Sequence, residues 1–247
     1  GAYANYNSLF SEVTKRNNIA YYPVVVLPPP ADLTVPFAGV NDSTLLPTQS
    51  FSVLAITRNV GDGPASATTL RYYRSDNSFI STGDTYVGSD PINALAAGAQ
   101  QASNDPETAP SSEGTWWYGA CVTSVPGEQI TNNQCSTGAQ VTVAAQLPTV
   151  STDQVTGITT TEATLNATVT PNGAATTLYF DWGTNNLFDN TLTYGSVGSG
   201  ISAVNRSKLL SGLVCNTTYQ VRARAVNSKG IRLGNVQEFT TAACPGC

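Results

Sequence analysis

The chain has 247 residues, with 11 Lys and Arg against 16 Asp and Glu, and it contains neither His nor Met. The missing histidine excludes the usual Ser-His-Asp and Cys-His nucleophile arrangements and removes the commonest metal ligand. A net charge of −5 without a basic run argues against a nucleic-acid partner. No apolar stretch approaches the ~20 residues of a membrane helix, so we predict no membrane span. We also predict no metal and no cofactor.

Residues 1–30 are predicted to form an N-terminal extension. The stretch NSLFSEVTKRN favours a short helix with Ser8 as its cap. Pro23 forbids a backbone donor in the strand that follows, and the prolines at 28–30 hold the segment extended. That strand is predicted from a run of β-branched, aromatic and aliphatic residues, namely Ile19, Tyr21, Tyr22, Val24, Val25, Val26 and Leu27.

This apolar strand has three alternative explanations. It adds to the sheet of a neighbouring subunit, it pairs within its own domain, or it is the remnant of a preceding domain. Intermolecular addition is the hypothesis that we develop, because a strand held away from its own domain suits addition to another chain. All seven apolar residues of the strand are therefore predicted interface residues.

Residues 31–147 form the first predicted domain, in which strand-length segments alternate with turn signals. In SFSVLAITRN alternation places Phe51, Val53, Ala55 and Thr57 on one face, and the family resemblance described below implies that this face points inward. Leu54 and Ile56 then face outward, and Tyr73 is predicted to join them. Contiguous exposed apolar area usually marks an interaction surface. The alternative is that the N-terminal segment or the second domain covers these side chains.

Two further patterns in this domain suggest binding. Asp76, Asp84 and Asp90 stand in one loop-rich stretch, and oxygen-rich loops can hold calcium. The spacing lacks a D-x-D-x-D-G ladder, however, so solvated turn residues are the preferred interpretation. Trp116 and Trp117 are adjacent in a predicted strand, so one is expected in the core and the other outside, where it is a candidate for stacking on carbohydrate.

The five cysteines favour a disulfide framework. A bridge between Cys121 and Cys135 closes a loop of about 15 residues and contributes roughly 3 kcal/mol in the chain-entropy model; two buried thiols are the alternative. Cys215 and Cys244 are predicted to pair, which leaves Cys247 spare and free to pair between chains. A redox interpretation of the final C-P-G-C conflicts with the absence of any helical pattern there.

Residues 148–243 form the second predicted domain. Apolar and polar residues alternate in TEATLNATVT and in NTTYQVRARAVN. Tyr219 suits a tyrosine corner, whose hydroxyl bonds back to the backbone. Arg222 and Arg224 form either a ligand-binding pair or, preferably, a solvated strand face. Asp181 and Asp189 are the nearest candidate for a catalytic carboxylate pair, although surface acids are the ordinary explanation.

Both domains resemble known families. STLLPTQSFSVLAITRNVGDGPASATTLRYYRS and YGACVTSVPGEQITNNQC resemble the cell-adhesion-related bacterial domain CARDB, an immunoglobulin-like sandwich of exported and surface proteins. TTTEATLNATVTPNGAATTLYFDWG and LSGLVCNTTYQVRARAVNSKGIRLGNVQEFTT resemble a bacterial fibronectin type III module, whose members often carry cysteines where Cys215 and Cys244 stand. The resemblances imply adhesion or structural work without catalytic residues, and modules that act as spacers or binding platforms.

The predicted fold is all-β: two tandem immunoglobulin-like β-sandwiches with an extended N-terminal strand segment and a Cys-containing tail at 244–247. We expect a non-catalytic bacterial protein that is secreted or displayed at the cell surface. Its predicted partners are other copies of itself, in a filament, or components of a cell surface or extracellular matrix. The alternative is an adhesin stalk or a glycan-binding accessory module of a larger secreted protein.

Overall fold

The computed structural model describes residues 2–3, 19–20, 29–128 and 130–246. Two short strands lie at the N-terminus, β1 (Ala2–Tyr3) and β2 (Ile19–Ala20), and they pair antiparallel with Tyr3 opposite Ile19. The predicted helix, the rest of the predicted apolar strand and Cys247 lie outside the described residues. Ile19 is therefore the one member of the predicted strand whose backbone pairing is known, and its partner is in its own chain.

The first sandwich consists of two sheets that pack face to face. One sheet has the order β3–β5–β8 and the other β4–β10–β9–β6–β7. The two-residue strand β4 runs parallel to β10, and every other pair in this sandwich is antiparallel. The strands are β3 (Leu33–Val40), β4 (Thr44–Leu45), β5 (Ser50–Asn59), β6 (Thr68–Ser75), β7 (Thr85–Ile92), β8 (Gln100–Thr108), β9 (Gly114–Val122) and β10 (Ala139–Val143).

The second sandwich is built in the same way from the sheets β11–β12–β15 and β14–β13–β16–β17, with β18 also paired to β16. Its strands are β11 (Thr149–Thr152), β12 (Glu162–Thr170), β13 (Thr176–Gly183), β14 (Asn190–Gly198), β15 (Val204–Ser211), β16 (Thr218–Asn227), β17 (Gly230–Leu233) and β18 (Gln237–Thr240). The all-β fold with two immunoglobulin-like sandwiches is confirmed. None of the described residues forms a helix long and apolar enough to cross a membrane.

Each sandwich has its own apolar core, which follows from the alternation of its strands. In the first, the rings of Phe51 and Tyr118 meet edge to face with their centroids 5.0 Å apart. In the second, Phe180, Leu178 and Val221 are completely buried. Burying one such side chain contributes about 1.5–3 kcal/mol, so these alternating positions are the main source of stability for both sheets.

Covalent and polar links reinforce the sandwiches at the predicted positions. The disulfides Cys121–Cys135 and Cys215–Cys244 both form, as predicted. The Tyr219 hydroxyl accepts a hydrogen bond from the backbone N–H of Val214 at 3.0 Å. This bond closes the predicted tyrosine corner and fixes the loop that precedes β16.

The start of the first domain is fastened to the turn that follows β5. The carbonyl of Pro30 accepts a hydrogen bond from the Gly63 N–H at 3.0 Å, and the carbonyl of Asp32 accepts one from the Val60 N–H at 2.7 Å. Gly61 lies so close to the backbone of residues 30–32 that it leaves no room for a side chain. These contacts fix the path of the backbone at residues 30–32, immediately before β3 begins.

The two sandwiches are joined at residues 144–148 without a free linker. Asn227 donates from its side chain to the carbonyl of Gln146 at 2.9 Å and to that of Pro171 at 3.1 Å. Lys229 in the second sandwich forms an ion pair with Glu113 in the first, with a shortest N–O distance of 2.9 Å. The hydrogen bond from Lys229 is the main cause that lowers the pKa of Glu113. Contacts from both sandwiches therefore hold the connection.

Candidate interaction surface

An exposed apolar surface lies on the outer face of the β3–β5–β8 sheet. The predicted inward residues of β5 are buried, and this turns Leu54 and Ile56 outward, as the alternation predicts. Leu54 is 41% exposed and Ile56 is half-buried. Phe37, which is 47% exposed, lies directly opposite Ile56 on β3. The sequence analysis did not single out Phe37.

Gly39 opens a shallow pocket in this surface. It pairs with Leu54, and the Phe37 ring lies over it, only 2.8 Å from where a Cβ would stand. The cavity is about 220 Å³ and is also lined by Val40, Asn41, Ser52 and Asn104. We call Phe37, Gly39, Leu54 and Ile56 the β3–β5 patch.

The prediction that Tyr73 belongs to an exposed surface was wrong. Tyr73 is only 4% exposed, because it packs with Ile80 and Cys121 in a small cluster outside the main core. Trp117 and Cys135 complete that cluster. A bulge in the β6–β7 pairing lies between Tyr72 and Tyr73. Tyr73 is thus covered by the loop that carries Ile80 and by the Cys121–Cys135 disulfide. The sequence analysis had considered only the N-terminal segment and the second domain as covering groups.

The two tryptophans of β9 face opposite sides, as alternation requires. Trp116 is the core-side residue and packs against the edge of the main core. Trp117 is the outward residue, for which stacking on carbohydrate was predicted, and it packs in the cluster around Tyr73. Trp116 also borders a cleft of about 290 Å³, in which it meets Asp76 and Asp84. Arg74, Ser75, Gly83 and Thr85 complete the lining. Two of the three predicted loop acids are thus brought together beside an aromatic ring.

The third loop acid lies elsewhere, and its partner explains why. Asp90 accepts a hydrogen bond from the Tyr72 hydroxyl at 2.9 Å, on the side of the sheet that faces the core. Asp84 accepts bonds from the Ser81 backbone and hydroxyl, as expected for a turn residue. Within the described ranges no three His, Cys, Asp or Glu side chains come close enough to share a metal ion.

A pair of inward-facing carboxyl groups was missed by the sequence analysis. Asp105 and Glu107 stand two residues apart on the edge strand β8, opposite the buried residues Val53 and Phe51 of β5. They therefore point into the space between the two sheets. One oxygen of each carboxyl is buried and has no hydrogen-bond partner among the described residues.

The environment of Glu107 favours its protonated form. Burial is the main cause that raises the pKa of Glu107 to about 7, the neighbouring Asp105 adds to the shift, and Arg74 opposes it. Tyr72 and Tyr118 face the same space, and burial raises the pKa of both hydroxyls. A protonated Glu107 can donate to Asp105, and this bond pairs one oxygen of each carboxyl group.

Arg222 and Arg224 do not form the solvated strand face that we expected. Arg224 makes two hydrogen bonds to Asp181, at 2.8 and 3.0 Å, and its guanidinium lies 4.4 Å from the ring centroid of Tyr179. Arg222 stacks over Phe188 at 4.2 Å. Both arginines are partly buried by these contacts, because aromatic side chains flank them on the outer face of the sheet.

Asp181 and Asp189 do not converge as a catalytic pair. Asp181 is 5% exposed and is held by Arg224 and by the Thr191 hydroxyl at 2.9 Å. Burial raises its pKa, but the hydrogen bonds from Arg224 and Thr191 outweigh that effect and the net shift is downward. Asp189 instead accepts a bond from the neighbouring Asn190. Asp181 is therefore an anion fixed in a structural cluster.

Comparison with known proteins finds similar solved structures at low identity. The CARDB domain of the PF1109 protein of Pyrococcus furiosus, solved in complex with di-metal ions, is 19% identical, covers 46% of this chain and 94% of that chain, and has a TM-score of 0.36. The sensor domain of the anti-sigma factor RsgI4 of Pseudobacteroides cellulosolvens is 22% identical over 40% of this chain and 94% of its own, with a TM-score of 0.32.

Red sea bream transglutaminase is 12% identical over 89% of this chain and 32% of that chain, with a TM-score of 0.31. No family model and no curated protein matches the chain. These identities and scores are too low to assign a family or an activity, and the fibronectin type III resemblance of the second domain stays a prediction. The chain is similar over 46% of its length to a CARDB domain.

Proposed function

We propose that this chain is a non-catalytic, exported structural protein that assembles with copies of itself by adding its N-terminal strand to a neighbour's sheet. The observation that carries the proposal is the β3–β5 patch, where Phe37 and Leu54 stay about half exposed on a sheet whose other outward positions are mostly polar. An uncovered apolar surface favours burial against a partner.

Two further features support this proposal. The disulfides are typical of proteins that mature in an oxidising compartment outside the cytoplasm. The carboxylate considered for catalysis, Asp181, is neutralised by Arg224 in a closed cluster, which leaves it unsuited to transfer protons. Affinity in such an assembly comes from ladder hydrogen bonds and from apolar burial at about 25 cal/mol per Å², before the cost of association.

The proposal is tested by imaging the purified protein in the electron microscope and measuring its size by sedimentation velocity. Filaments or higher oligomers are expected for the full chain, and monomers for a variant that lacks residues 1–28. Circular dichroism and thermal melting of the truncated variant check that both sandwiches still fold. A folded truncated protein that assembles like the full chain would refute strand addition.

A second candidate function is carbohydrate binding at the cleft beside Trp116. The specific observation is that this ring meets Asp76 and Asp84 in a polar cleft of about 290 Å³, the combination of a stacking face and acceptors that a sugar requires. The Trp116→Ala variant should then lose binding on a glycan array, whereas Phe79→Ala, which removes an exposed aromatic side chain outside that cleft lining, should keep it. Equal binding by both variants would reject this function.

A further inference from the structure

The second half of β3 is covered less completely than the first. Leu33 and Val35 are buried, but Ala38 and Val40, whose partners Ala55 and Val53 are completely buried in the core, are themselves only half-buried. On the opposite face Phe37 is 47% exposed. Both faces of residues 37–40 are therefore only partly covered, and among the described strands β3 has no partner on the side away from β5. None of these four residues is charged.

Other edges of the first sandwich are less suited to receive an apolar strand. The edge strand β8 turns Asp105 and Glu107 inward, and inward-facing charges protect a sheet edge from unwanted pairing. The edge strand β7 contains Pro91, which cannot donate, and its pairing is bulged at Tyr72 and Tyr73. β4 has only two residues.

A tight return by the chain's own N-terminal arm (residues 21–27) would bring that arm beside the first half of β3 and not beside residues 37–40. Pro30 and Asp32 are hydrogen-bonded to the turn after β5, so an antiparallel return has to begin before residue 29. A tight reversal at residue 28 sets residue 24 beside residue 33 and residue 20 beside residue 37. The arm would therefore lie beside residues 30–36, and a parallel return would need a crossover of about a dozen residues.

We infer that residues 37–40 of β3, together with the β3–β5 patch, form the acceptor edge for the N-terminal arm of a second copy of this chain. The inference rests on the proposed function and names the site at which that assembly occurs. The arm is uncharged and rich in β-branched and aromatic residues, which matches the uncharged edge. Its side chains cover both open faces, since alternate residues of a strand point to opposite sides.

The pocket over Gly39 gives this edge a specific register. Its volume of about 220 Å³ accommodates one large side chain of the arm, and Gly39 itself adds no bulk there. Because a strand slipped by one residue exchanges its two faces, the pocket excludes every alignment that turns the pocket-side residues of the arm to the other face.

Two full-length variants test the roles of the arm and of the acceptor edge separately. Val25→Glu places a charge in the arm, and Leu54→Glu places one in the patch at an exposed position. We expect each variant alone to associate at least about 100-fold more weakly than the natural chain, given the loss of a buried apolar side chain and the burial of a charge. Leu209→Glu, at a 53% exposed position on β15, is the matched control and should assemble normally.

Mixing the two variants gives the sharpest result. The Leu54→Glu chain keeps an intact arm and the Val25→Glu chain keeps an intact acceptor, so an equimolar mixture should form 1:1 dimers and nothing larger in sedimentation velocity. Gly39→Asp, which fills the pocket with a charge, provides a second acceptor variant if Leu54→Glu does not melt like the natural protein. It should give the same dimers with Val25→Glu.

The outcomes distinguish this inference from the proposed function. If Val25→Glu prevents assembly but both acceptor variants assemble like the natural chain, the arm docks elsewhere and the acceptor assignment is wrong. If Val25→Glu assembles normally while Leu54→Glu does not, the patches associate with each other and strand addition itself fails. Assembly by all variants would overturn both proposals.

Discussion

The inward-facing carboxyl pair of β8 predicts that the first sandwich loses stability as pH rises. The folded state raises the pKa of Glu107 from 4.5 to about 7, mainly through burial and then through Asp105. A carboxyl group whose pKa is raised on folding favours the folded state while it is protonated. Its contribution is therefore complete below about pH 4.5 and is lost as the pH rises toward 7.

The size of this effect follows from the shift. One pKa unit corresponds to about 1.4 kcal/mol, so the displacement of Glu107 sets an upper limit of about 3 kcal/mol. Because the side chain is only partly buried, solvent screening reduces the expected value to about 1–2 kcal/mol. Glu107→Gln keeps the shape of the side chain and removes the charge. The variant should therefore be more stable than the natural chain by about that amount at pH 8, and similar to it near pH 4.5.

Urea unfolding between pH 4.5 and 8, followed by tryptophan fluorescence, measures this difference. Asp105→Asn serves as the matched variant, because loss of the neighbouring charge lowers the pKa of Glu107 and should move the pH transition to lower values. The explanation fails if the difference in unfolding free energy between Glu107→Gln and the natural chain is the same at pH 4.5 and at pH 8.

Three other changes test the packing and polar links. Replacing Cys121 and Cys135 with Ser should lower the free energy of unfolding by about 2–4 kcal/mol in denaturant titrations, and no loss would show that the bridge does not constrain the unfolded chain. Tyr219→Phe removes the acceptor of the tyrosine corner and should cost about 1 kcal/mol, visible as a lower melting temperature. Asp181→Asn leaves Arg224 without its anionic partner and should destabilise the second sandwich more than Arg224→Gln does. Salt should change these two losses, because it screens the ion pair. Equal losses of the two variants at all salt concentrations would contradict the ion pair.

Much of the fold could be predicted because its strands alternate cleanly. The tyrosine corner at Tyr219 follows from local pattern alone, and the inward residues of β5 follow from alternation together with the CARDB resemblance; both are confirmed. β8 shows the limit of this approach. Its sequence QQASNDPET is polar and contains proline, so it has little intrinsic strand character. It becomes a strand through its long pairing with β5, which no local pattern indicates.

The candidate surface was predicted only in part, for a similar reason. Leu54 and Ile56 could be placed outside by counting along one strand. Phe37 could not, because a bulge in β3 between residues 34 and 37 breaks its alternation. Tyr73 lies outside the main core, but it was wrongly expected to be exposed, because Ile80 of the loop after β6 and Cys121 of β9 cover it. Contacts of this kind are made between distant parts of the chain, so they become visible only in three dimensions.

The parallel pairing of β4 with β10 has a mechanical consequence. Backbone hydrogen bonds join these segments, among them the bonds from the Thr142 N–H to the Ser43 carbonyl and from the Ala144 N–H to the Leu45 carbonyl. When tension pulls the amino end one way and the carboxyl end the other, two parallel segments slide along each other instead of peeling apart. Their bonds then share the load and must rupture together. The first sandwich should accordingly resist stretching along its length better than an antiparallel closure of the same size.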